Sequence, residues 1–84
     1  MNRYLVILLR RPGLDPAVVP QHRQFLEDMR VEGRNEMSGP FTDGCGGAWL
    51  LRAADLAEAM QIAHRDPAHT SGGWEITVRE WQAR

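Results

Sequence analysis

Residues 38–47 read SGPFTDGCGG, and the reading of this stretch decides the fold. A phosphate-binding loop would end in Gly-Lys-Ser/Thr and open a helix, and a dinucleotide fingerprint would place its glycines directly before one. The chain contains no lysine, and the AWLLRA that follows is strand-like, with no helix signal before Asp55. Asp43-Gly44 lies between two strand-like segments, which is a hairpin signal. Cys45 is then a bystander at the turn, because neither a second cysteine nor a row of cations supports a redox role. Ser38-Gly39-Pro40 is less easily placed. Glycine and proline within a strand mark an edge strand with a bulge, or a kinked backbone that faces a ligand.

Working outward, RNEMSGPF (34–41) is a weak, polar strand and GAWLLRA (47–53) a better one. Upstream, RYLVILLRR (3–11) is a continuous apolar run of β-formers, which predicts a strand buried on both faces. Tyr4, Val6 and Leu8 share one side; Leu5, Ile7 and Leu9 share the other. PGLDPAVV (12–19) is a proline-rich loop, and Pro20 suits the first turn of a helix. That helix runs through QHRQFLEDMRVEG and stops at Gly33. Val18, His22, Phe25 and Met29 make one helical face. Downstream, Asp55 as N-cap with Glu58 three residues on is a capping-box pattern. The second helix ends near Asp66 because Pro67 follows, and Leu56, Ala59, Met60 and Ala63 form its apolar stripe. AHTSGG (68–73) is a connector. WEITVREW (74–81) alternates as a last strand, with Trp74, Ile76 and Val78 on one side.

The order is β-α-β-β-α-β in a single domain over 1–84. The expected architecture is α+β and ferredoxin-like: a four-stranded antiparallel sheet with two helices on one face. The other sheet face is left bare although strand one is apolar on both sides, so a second copy of the chain is expected to cover it. The length agrees, since an 84-residue chain buries only about 60% of its unfolded surface by itself.

The net charge of −1, with acids and bases interspersed, argues against a nucleic-acid surface. No segment approaches the roughly 20 apolar residues of a membrane span. The apolar run Leu5–Leu9 is too short for the core of a signal peptide and runs into Arg10-Arg11. A lone cysteine excludes an internal disulfide and points to a reducing, cytoplasmic setting.

His22 sits on the apolar face of the first helix, as a hydrogen-bonded core histidine or as a catalyst. HRDPAH (64–69) offers two histidines and an acid, but Pro67 breaks single-helix geometry and the spacing is not that of a metal site. Right-handed crossovers put the start of helix one and the end of helix two at the same edge of the sheet, beside the upper end of strand two. His22 and Asp66 can therefore meet there, next to Ser38-Gly39-Pro40. A histidine, an acid and a kinked backbone on one rim form a candidate small-molecule site.

PQHRQFLEDMRVEG, SGPFTDG and the Asp66-Pro67 pair together resemble the YciI-like (YCII-related) family over almost the whole length. The resemblance implies a dimeric α/β barrel, in which two ferredoxin-like sheets face each other, and a His-Asp active site falling on His22 and Asp66. It further implies that some relatives act on ring compounds by lyase or dehydrohalogenase-like steps. The expected activity is a lyase- or isomerase-type proton transfer on a small molecule, with His22 as general acid-base and Asp66 holding its tautomer. Ser38, Gly39, Pro40 and Phe41 are the expected substrate contacts. No cofactor motif is present, so none is expected. The alternative is a non-catalytic binding or regulatory module that uses the same cleft.

Overall fold

A strand that is apolar on both faces belongs in the middle of a sheet, and β1 (Asn2–Arg10) lies there. The computed structural model describes residues 1–84. After β1 come α1 (Val18–Val31), β2 (Asn35–Pro40), β3 (Gly46–Ala53), α2 (Leu56–Ala63), α3 (Pro67–Thr70) and β4 (Trp74–Glu80). The sheet order is β2-β3-β1-β4 with every neighbouring pair antiparallel. This is the ferredoxin-like α+β arrangement.

Period-two alternation sorts the two faces. Tyr4, Val6 and Leu8 are buried in one core with Met29 of α1 and with Ala59, Ile62 and Ala63 of α2. Their cross-strand partners Leu51, Trp49, Val78 and Ile76 join or flank that core. On the other face Leu5 and Ile7 are half-buried and Leu9 is exposed. Leu5, Met37, Leu50 and Trp81 line an apolar hollow there. No helix is long and apolar enough to cross a membrane.

The β2–β3 connection is a turn. Phe41 N–H donates to Gly46 C=O at 2.8 Å, Gly44 N–H to Phe41 C=O at 3.0 Å, and Cys45 N–H to the Asp43 side chain at 3.0 Å. Gly44 has φ of 77°, a conformation that other residues adopt only with strain. Gly46 and Gly47 are not turn residues, however; they open β3 opposite Leu9 and Leu8. A Cβ on Gly46 would overlap the Leu8 carbonyl, and one on Gly47 would lie 2.7 Å from the Gly39 oxygen. The strands can approach so closely only because both positions lack a side chain.

Four expectations need correction. The bulge in β2 falls between Asn35 and Met37, ahead of the Gly-Pro pair. Ile62, rather than Leu56 or Met60, completes the buried stripe of α2, because the helix rolls its small residues onto the sheet. The capping box is offset: Asp55 accepts the Glu58 N–H at 2.8 Å, but Glu58 returns its bond to Ala54 at 3.0 Å and to Arg34 at 2.7 Å. Finally, α2 stops at Ala63, and the expected connector begins as the single turn α3. Asp66 is the N-cap of that turn and Pro67 its first residue, a position where the missing N–H costs nothing.

His64 caps the C-terminus of α2 and stacks on His69 of α3, with centroids 4.2 Å apart and planes 13° apart. Burial first, and the His69 charge second, hold the His64 imidazole below its ordinary pKa of 6.5. The unfolded chain therefore binds more protons just below that value. The stabilising contribution is complete above about pH 6.5 and is lost as pH falls through the lowered value. His64→Gln is expected to remove this acid-side loss, which urea denaturation at about pH 5 and pH 8 would reveal as a smaller difference than in the wild type. The same measurement checks the hairpin. Gly46→Ala is expected to destabilise by more than about 1 kcal/mol, whereas Cys45→Ser at the exposed turn should stay well under that figure.

Candidate functional site

The rim formed by the start of α1, the end of β2, the start of β3 and the start of β4 encloses a cleft of about 270 Å³. Antiparallel pairing brings these ends together. Leu8 and Arg10 of β1 lie opposite Gly47 of β3 and opposite Ile76 and Trp74 of β4, all on the helix side.

His22, one turn into α1, lines this cleft. Its Nδ1 lies 2.6 Å from Asp66 Oδ2, with the histidine side chain 15% exposed and the aspartate 1% exposed. The other aspartate oxygen accepts the Ala68 N–H at 2.9 Å. The carboxylate thus caps α3 with one oxygen and grips α1 through the other. A carboxylate accepts only, so Nδ1 carries the proton and the neutral ring keeps its lone pair on Nε2. Nε2 has no partner within the protein. The structure therefore brings His22 and Asp66 together.

Ser38, Gly39 and Pro40 line the opposite wall. Ser38 Oγ accepts from Asn35 Nδ2 at 3.3 Å, which leaves its hydroxyl proton for another acceptor. Phe41 does not line the cleft; it closes the turn through its backbone. His64 and His69 stack on each other, and no group of three or more His, Cys, Asp or Glu side chains converges anywhere in the fold.

Among the further side chains that line the cleft and that the sequence reading did not single out, four are cationic or aromatic: Arg10, Arg23, Trp49 and Trp74. The Arg10 guanidinium lies 5.2 Å over the Trp74 ring, and the His22 ring lies 5.9 Å from the same ring at a 30° tilt. Trp49 meets Phe25 edge-on at 6.0 Å. The indole N–H groups of Trp49 and Trp74 are buried and have no hydrogen-bond partner. An orphaned buried donor costs about 1–3 kcal/mol, although both rings belong to the hydrophobic core. Arg10 was legible, since it shares its parity with Tyr4, Val6 and Leu8. No periodicity marks Arg23 or the two indole nitrogens.

Known proteins resemble this chain at two levels. Uncharacterized protein YjpA of Bacillus subtilis (strain 168) is 38% identical over 84 residues, which is 100% of this chain and 99% of that protein. Among solved structures, 5-chloro-2-hydroxyhydroquinone dehydrochlorinase (TftG) from Burkholderia phenoliruptrix AC1100, in complex with 2,5-dihydroxybenzoquinone, superposes with a TM-score of 0.73. The match covers 98% of this chain and 95% of that one at 18% identity, a likeness of fold. The family model for the YCII-related domain matches residues 3–82, so the chain belongs to the YCII-related family.

Proposed function

We propose that the chain is a cofactor-independent enzyme that moves a proton on a small, ring-containing molecule, in a lyase- or isomerase-type step. The observation that carries this reading is the 2.6 Å bond from His22 Nδ1 to a buried Asp66 carboxylate beside an open cleft. Such a bond fixes the tautomer with Nε2 free to accept a proton, and the carboxylate stabilises the imidazolium that results. Ser38 and the Gly39 backbone, which line the cleft, would hold a polar group of the substrate. The name of the TftG dehydrochlorinase gives the kind of reaction that a fold of this shape can host: loss of a proton and a chloride from a hydroxylated ring. That step needs a base and a leaving group, and His22 is suited to be the base.

The working form is proposed to be a homodimer. Leu5, Ile7 and Leu9 on the helix-free face, with the hollow lined by Met37, Leu50 and Trp81, make an apolar surface at which a second sheet would pack. The single cysteine, exposed and unbridged, fits a reducing cytoplasmic setting.

Asp66→Asn separates catalysis from folding. Asparagine still offers an oxygen to cap α3, but its amide presents a donor to Nδ1 and shifts the ring proton to Nε2. Turnover of a hydroxylated, halogenated ring substrate should fall roughly 10²–10⁴-fold, with ¹⁵N NMR reporting the tautomer change. A His22 tautomer identical in both proteins, or full turnover in the variant, would sink the dyad. Binding without turnover in the wild type would leave a non-catalytic module. For the dimer, the wild type should sediment as a dimer at low micromolar concentration and Ile7→Arg as a monomer or unfolded chain; a monomeric wild type overturns the assembly.

A further inference from the structure

We propose that the cleft selects an oxyanion: a single-ring carboxylate or ring-bound oxide held by Arg10 and Arg23, with Ser38 donating to its oxygens and the Trp49 and Trp74 rings lying alongside it. The proposal rests on the cleft of the preceding reading being the ligand site, but not on His22 acting as a base.

Three observations point the same way. The first is charge. No aspartate or glutamate lines the cleft, whereas two arginines do. Arg3, Arg30, Arg34 and Arg52 each have a glutamate partner elsewhere in the fold; of the six arginines without an acidic partner, Arg10 and Arg23 are the two that line the cleft. Asp66, which holds the cleft residue His22, is 1% exposed and already engaged by His22 and Ala68. The second is hydrogen-bonding polarity. A guanidinium donates and never accepts, and Ser38 has a donor to spare because its oxygen already accepts from Asn35. The walls therefore offer donors from several sides, which suits a ligand whose polar atoms are all acceptors. The third is size and surface. About 270 Å³ is below the roughly 300–1,000 Å³ of drug-sized sites, and the indole rings with Leu8, Val19 and Leu26 give an apolar bed for one ring. A site whose donors are already in place and unsatisfied binds an acceptor that completes them and rejects a ligand that brings further donors.

The test uses the full chain, ¹⁵N-labelled, and two anionic probes against a neutral one. Benzoate presents a carboxylate, 2,5-dihydroxybenzoquinone presents ring oxides at neutral pH, and benzamide keeps the shape of benzoate while adding a donor. The chain has three tryptophans, and Trp81 lines the hollow on the opposite sheet face, so its indole resonance is an internal control. The expected result is saturable movement of the Trp49 and Trp74 indole resonances with one or both anions and not with benzamide. Which anion acts distinguishes a carboxylate from a ring oxide. Arg10→Gln and Arg23→Gln are each expected to weaken that binding by about tenfold or more, and Arg→Lys by less, as befits charge-assisted bonds. Equal affinity for benzamide, unchanged affinity in both Gln variants, or no binding of either anion at about 10 mM overturns the proposal. Anion binding in a wild-type chain that turns over no ring compound leaves this proposal standing and removes the enzyme reading. Turnover of a neutral ring compound, with benzamide bound as well as benzoate, does the reverse.

Discussion

A carboxylate that is 1% exposed must find partners for both oxygens or lose the free energy of its hydration. Asp66 meets that demand with one bond to the first turn of α3 and one to a side chain on α1. The bond to His22 spans 44 residues of sequence. It sets the orientation of His22, and with it the wall of the cleft. Asp66 can occupy that place because α2 ends early, at Ala63, and the chain turns through residues 64–66 before Pro67 starts a new helix. The same carboxylate is therefore a helix cap, an interhelical tie and the partner of the histidine.

The cleft floor depends on a second constraint. β3 meets β1 at Gly46 and β2 at Gly47 with no room for a side chain at either. Walls of very different character stand on that floor. His22, Arg23 and Leu26 come from a helix, Ser38 and Pro40 from an edge strand, and Arg10 and Trp74 from a paired β1–β4 end.

Much of this was legible in the residues. Alternation in RYLVILLRR sorts Tyr4, Val6 and Leu8 onto one face and Leu5, Ile7 and Leu9 onto the other, and Asp43-Gly44 marks the hairpin; topology alone brings the start of α1 to the same edge as Asp66. What escaped the reading has physical causes. A one-turn helix such as α3 is too short for any periodicity to register, and its evidence is a single Asp-Pro pair that equally well ends a helix. The roll of α2 is set by how close alanine lets it approach the sheet, so Leu56 and Met60 turn outward although they are the more apolar residues. Gly46 and Gly47 look like turn glycines, because only the tertiary fold shows the Leu8 carbonyl beneath one of them. Charge pairing is likewise a property of the folded surface, so nothing in the composition distinguishes Arg10 and Arg23 from the paired arginines.

The edge strand β2 carries one more consequence. It is six residues long, is interrupted by a bulge between Asn35 and Met37, and ends in a proline. A neighbouring chain that tried to add a strand there would meet an irregular row of backbone donors, one of them missing altogether. The opposite edge, β4, is an uninterrupted run of seven residues without proline. Lateral growth of the sheet, whether into a ring of subunits or into an aggregate, is thus barred on one side and open on the other, so any such assembly has a polarity written into its two edges.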